Sequence, residues 1–202
     1  MSKGALTRRS ILEHAFSLAS LVGLEGLSIG RLAQELELSK SGLFAHFRSK
    51  AELQRQLLDF AAEVFTGLVV APTLRAERGE PRVRAVVENW LRWPEESGAL
   101  GGCFFVAATI ELDDRPGAAR ERLVELQREW IDFLARLARG AVAAGHFRED
   151  VDVDQFAHDL YGILLVTHHY RRLLEDPGAE RRARTALEAL IRDAAAAPAP
   201  RP

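Results

Sequence analysis

The sequence predicts an all-α protein: an N-terminal three-helix helix-turn-helix head on a larger helical-bundle body. Two observations carry the prediction. Apolar residues recur at three-and-four spacing along the chain, and no stretch alternates with a period of two. Helix-start signals also stand at Ser28, Ser39, Ser49 and Asp152, each followed by such a stripe.

The first helix runs from about Thr7 to Val22, with Ile11, Ala15, Leu18 and Val22 inward; Gly23 and Gly26 end it. A second starts at Ser28 and carries the stripe Ile29, Leu32, Ala33 and Leu36. A third starts at its N-cap Ser39, with Leu43 and Phe47 inward. Between the two stripes, Glu37-Leu38-Ser39 has room only for a turn. Ser49-Lys50-Ala51-Glu52 is a capping box, opening a fourth helix through Leu53, Leu57, Phe60, Val64 and Leu68 to Pro72. Three helices in fewer than 50 residues are marginal alone. The head is therefore expected to lean on the fourth helix, which would link it mechanically to the body.

The body follows Pro72 and the charged 75–81 loop. Val83, Val86, Val87, Trp90 and Leu91 mark a helix that Pro94 is expected to end, and 95–102 reads as a loop. A short apolar helix spans Cys103 to Leu112. A long one carries Leu123, Leu126, Trp130, Phe133, Leu134, Leu137 and Ala141 and stops at Gly145. Asp152 opens the next, and Asp176-Pro177-Gly178 separates it from a last helix, Glu180 to about Ala196. The chain is expected to divide into a helix-turn-helix head (1–48), a helical body (49–196) and an Ala/Pro-rich disordered tail (197–202).

Two short helices crossing through a tight turn form a helix-turn-helix, whose second helix fits a DNA major groove. With Leu43 and Phe47 inward, Lys40, Ser41, Phe44, Ala45 and Arg48 point outward. This face suits base edges: Lys40 has donors for guanine, Ser41 for either kind of base, and Phe44 an apolar surface for a thymine methyl. Lys50 stands in the first turn of the following helix, where the helix dipole disfavours a cation. A phosphate contact would explain it.

From Thr7 to Phe65 the chain resembles the DNA-binding region of the tetracycline-repressor (TetR) family of bacterial regulators. The resemblance lies in Leu32-Ala33, in Leu36-x-Leu38-Ser39 and above all in the run from Ser41 to Leu53, SGLFAHFRSKAEL. It implies base contacts from Lys40, Ser41 and Gly42, and phosphate contacts from Ser28, Phe44, His46 and Lys50. Phe44 replaces the family's commoner Tyr and lacks a hydroxyl for phosphate. Glu37 stands where the turn often has Gly. The motif covers about the first third of the chain.

Composition fits a cytoplasmic DNA-binding protein. The net charge is −2, but residues 1–56 hold eight Lys/Arg against five Glu, a net of +3, leaving −5 on the rest. The single cysteine, Cys103, allows no intramolecular disulfide, and no signal peptide is recognisable. The apolar run Ile163 to Val166 is far too short to span a membrane, so no membrane partner is expected.

The helix containing Leu160 to Val166 is apolar all round and needs cover on both sides, most simply from a second copy of the chain. Leu164, with Leu187 and Leu190 of the last helix, is expected at that homodimer interface; the resemblance likewise implies pairing through the last two helices. The body also gathers Phe65, Trp90, Phe104, Trp130 and Tyr161. Core packing accounts for aromatics in general, while a cavity between bundle helices is a usual small-molecule site. The resemblance implies a small effector there, and these five residues are the candidate lining.

Other chemistry is thin. His168 and His169 are adjacent and diverge on a helix, and His158 lies too far along for one metal site. No nucleophile–base or carboxylate pair suggests an enzyme, and no cofactor or metal is expected. The reading is a ligand-responsive, dimeric transcriptional regulator that binds a palindromic double-stranded DNA operator. The resemblance implies a repressor released by a small, mostly apolar effector. A ligand-independent DNA-binding protein and an activator are the alternatives.

Overall fold

Among the residues described by the computed structural model, 8–196, every regular element is helical. The expected tail, 197–202, lies outside them. The helices are α1 (Arg8–Gly26), α2 (Ile29–Glu35), α3 (Lys40–Phe47), α4 (Lys50–Phe65), α5 (Ala71–Arg75), α6 (Glu80–Glu96), α7 (Phe104–Leu112), α8 (Ala118–Ala143), α9 (Val153–Arg172) and α10 (Ala179–Ala194). The chain separates into two compact units, residues 1–65 with 94–126, and residues 66–93 with 127–202.

In the first unit, Ile11, Phe16, Leu32, Leu43, Phe47, Leu53 and Leu57 are buried. Phe16 sits between Phe60 and Phe104, with ring centroids at 5.9 and 5.3 Å. Segment 94–126 thus shares a core with the expected 1–48 head. Gly23 bends α1 with φ +78°, which costs glycine little. The carboxylate of Glu111 then accepts the N–H groups of Leu24 and Glu25 just past the bend, at 2.7 and 2.8 Å.

In the second unit, α9 and α10 pack along their lengths. Trp130 stacks on Phe133 (5.8 Å) and Phe147 packs on Phe156 (5.1 Å). Two prolines behave differently from expectation. Pro72 does not end a helix: it stands near the start of α5, just after a π-helical turn, Thr66–Val70. Proline offers no N–H to the carbonyl four residues back and crowds it, and a widened turn absorbs both effects. The Thr73 hydroxyl donates to the Val69 carbonyl (2.6 Å) and accepts from Asn89 Nδ2 (3.0 Å), so this buried polar patch is paired. Pro94 likewise lies inside α6, which continues to Glu96. Earlier in the same helix, the Leu91 carbonyl accepts from Arg171 Nη1 at 2.7 Å.

By length and composition the 26-residue helix Lys50–Arg75 is apolar enough to cross a membrane, a property that no single uninterrupted apolar run reveals. Its Leu53, Leu57, Leu58, Phe60, Ala61 and Val69 are buried in the protein. A core helix has that composition for the same reason.

Candidate nucleic-acid interface

α2 begins at Ser28, whose Oγ accepts the N–H of Arg31 at 3.1 Å. That bond uses a lone pair and leaves the hydroxyl hydrogen to donate outward. α2 ends in a Schellman motif: the N–H of Leu38 reaches the Ala33 carbonyl (2.9 Å), and that of Glu37 reaches Gln34 (3.2 Å). The motif forces Glu37 to φ +54°, a conformation glycine takes more easily. This explains how the turn forms without the family's usual glycine.

α3 begins at Ser39, whose Oγ accepts the Gly42 N–H and lies 3.2 Å from Ser41 Oγ. Leu43 and Phe47 are fully buried and anchor the helix. Lys40, Ser41, Gly42, Phe44, Ala45 and Arg48 are exposed, Phe44 by 50%. The Lys40 stem lies over Gly30: a Cβ there would stand 3.4 Å from Lys40 Cε and 3.9 Å from Ser28 Oγ. Lys40 and Ser28 therefore approach one another at the rim of the motif. His46 is half-buried, and its carbonyl accepts from Arg8 Nη2 at 2.9 Å, which holds the end of α3 to the start of α1.

Lys50 has an internal partner. Its ammonium donates to both the carbonyl and the carboxylate of Glu25, each at 2.9 Å. Glu25 also accepts from Gln54 Nε2 (2.9 Å) and lies 3.5 Å from Arg115. Hydrogen bonds from Gln54 and Lys50 hold its carboxyl below the ordinary glutamate range. An internal carboxylate thus accounts for a cation in the first turn of α4. Nothing local in the sequence marks Glu25 as its partner.

The other head cations divide clearly. Arg8 holds His46, Arg9 pairs with Glu13 and Glu63, and Arg55 pairs with Glu52 and Asp59. Among the described residues the side chains of Arg31, Lys40 and Arg48 make no hydrogen bond or ion pair, and all three are exposed. The unspent positive charge of the head thus lies on α2, on α3 and at the end of α3.

The residues expected at an effector site divide between the two units. Phe104 is a core residue of the first unit, packed on Phe16, and Phe65 meets Phe105 edge-on at 5.7 Å. Trp90, Trp130 and Tyr161 belong to the second unit, where the Tyr161 hydroxyl donates to Gln127 at 2.7 Å. Two of the leucines expected at an interface are buried within the single chain. Leu164 and Leu187 are 0% and 3% exposed within a single chain, so they serve its own core. Leu190 is half-buried. The uncovered apolar residues of α9 are instead Leu165, Val166 and Tyr170. Beside them Gly162, Ile163, Val166, Tyr170, Ala183 and Ala186 line a groove of about 390 Å³ between α9 and α10.

A buried-anchored second helix with a short polar outer face, set across a tight turn, defines a helix-turn-helix DNA-binding protein. Residues 11–65 match the family described as bacterial regulatory proteins, tetR family; residues 79–187 match the tetracyclin repressor-like C-terminal domain. The chain belongs to the tetracycline-repressor family of transcriptional regulators. Its fold is similar to that of a TetR transcriptional regulator from Chloroflexus aurantiacus (TM-score 0.85, 26% identity, 96% of this chain and 98% of that one). It is also similar to PfmR from Thermus thermophilus (0.69, 27%, 90% and 97%). AibR, solved with isovaleryl coenzyme A and operator DNA, shares the fold at 22% identity (0.73, 91% and 97%). No curated protein matches the chain.

Proposed function

We propose that this regulator is a cytoplasmic homodimeric repressor that binds a palindromic operator and leaves it when a small, mostly apolar effector binds the body. The observation that carries the reading is the exposed Lys40-Ser41-Gly42-Phe44 face on a helix locked by buried Leu43 and Phe47. Lys40 and Ser41 would meet base edges, and Ser28, with its free hydroxyl hydrogen, a phosphate. Pairing would use the apolar groove between α9 and α10, where small residues let a partner helix approach. AibR's complex with both a small molecule and operator DNA supports two ligands on one such fold. The aromatics Trp90, Trp130 and Tyr161 suit an apolar or aromatic effector.

Control requires that the effector bind the two states of the protein with different affinity. The coupling is reciprocal, so operator DNA must weaken effector binding by the same factor. Tryptophan-fluorescence titration with a panel of aromatic and acyl compounds, with and without DNA, tests this. A true inducer binds less tightly in the presence of DNA; equal binding in both conditions contradicts that role. For the head, Lys40→Ala should weaken specific binding and alter base preference. Unchanged affinity and preference would contradict the assigned recognition face.

A further inference from the structure

Arg48 combines two features that need a common explanation. The first is backbone strain. It follows α3 with φ +57° and ψ −37°, while the Ser49 N–H closes back on the Phe47 carbonyl at 2.5 Å and its own N–H caps Phe44 at 2.8 Å. This three-residue closure lies near the rare γ-turn (φ of about +75°, ψ of about −65°), which is strained for any residue with a Cβ. Glycine would take it readily, yet the position holds a long cation. The second is a lack of internal employment. Among the described residues the guanidinium makes no hydrogen bond or ion pair, whereas Arg8, Arg9, Lys50 and Arg55 of the same head are all engaged. Folding thus gives no reason for an arginine here and gives one against it.

We propose that Arg48 is a DNA-backbone contact of the head, additional to the contacts read for the other residues of α2 and α3. The proposal rests on the reading of α3 as a DNA-facing helix. Arg48 is exposed, as Lys40 and Phe44 are, and stands at the far end of α3 from Lys40. The tight turn fixes where its side chain leaves the backbone. Guanidinium is suited to phosphate oxygens because it offers paired donors in a fixed fork. A contact of this kind carries no sequence information and adds affinity to every duplex.

The test uses the full chain, a fluorescein-labelled mixed-sequence duplex and a salt series. Arg48→Gly should raise the thermal midpoint, because the turn loses its strain, and at the same time weaken duplex binding. The slope of log affinity against log salt should become shallower by about 0.9 for each phosphate that is no longer neutralised. Arg48→Ala should weaken binding similarly without the gain in stability, and Arg48→Lys should keep most of the slope. If wild type binds the duplex but the glycine and alanine variants keep its affinity and slope, Arg48 does not touch DNA and the proposal fails alone. If wild type shows no salt-dependent duplex binding at all, the DNA-facing reading of α3 fails with it.

Discussion

Glu111 caps the bend in α1: its carboxylate takes the N–H groups of Leu24 at 2.7 Å and Glu25 at 2.8 Å. Gly23 makes this possible, since a Cβ there would stand 2.7 Å from Glu111 Oε1. The bend leaves amides without partners from the preceding turn, and Glu111 replaces them. Glu25 in turn holds Lys50 and Gln54 at the start of α4.

Removing that carboxylate should therefore loosen the bend and, through Glu25, the start of α4. Glu111→Ala is expected to cost about 1–3 kcal/mol, the usual penalty for amides stripped of an acceptor. Denaturant unfolding measures the cost, and amide exchange at Leu24 and Glu25 locates it. Unaltered exchange at those two amides would show that the cap contributes nothing.

Acid should loosen the head through Glu52. Hydrogen bonds from Arg55, then Gln56, pull its carboxyl down to about 2 from the ordinary glutamate value of 4.5. Because the folded value lies below the unfolded one, this contribution is fully present above about pH 4.5 and is lost as pH falls towards about 2. The side chain is 34% exposed, so solvent limits the size of the effect. Arg55→Met should raise the Glu52 carboxyl titration towards the ordinary range, as followed by carbon NMR, and flatten stability against pH in that window. An unmoved titration would remove Arg55 as the cause.

Assembly should respond differently to charges on the two sides of α9. Leu164→Glu places an unpaired charge in the protomer core and should unfold the chain. Val166→Glu, at a residue 57% exposed, should leave helix content intact and dissociate the proposed dimer. Sedimentation with circular dichroism separates the outcomes. A folded Val166→Glu variant that remains dimeric would move the interface away from this groove.

Much of the fold is legible in the sequence because it is local. Ser28, Ser39 and Asp152 each cap the helix they are expected to start, and Leu43 and Phe47 are buried as their spacing requires. What stays hidden depends on distant partners. Pro72 and Pro94 read as stops, yet a π-turn and the surrounding packing carry both within or beside helices. An all-apolar helix signals that both faces need cover, but not which leucine faces which side; Leu164 faces inward. Lys50 looks surplus because its partner Glu25 lies 25 residues away, and Glu111 is separated from Leu24 by 87. The strain at Arg48 has no sequence signal beyond a missing glycine at the junction of two capped helices.

The central claim, a dimeric helix-turn-helix reader of two-fold DNA, is tested most directly by selecting duplexes from a random pool with the purified full chain. The account predicts enrichment of an inverted repeat with half-site centres about 34–36 Å apart, or at a related spacing. Lys40→Ala should shift base preference within each half-site. Recovery of no sequence, or of a single asymmetric site bound by a stable monomer, would contradict it.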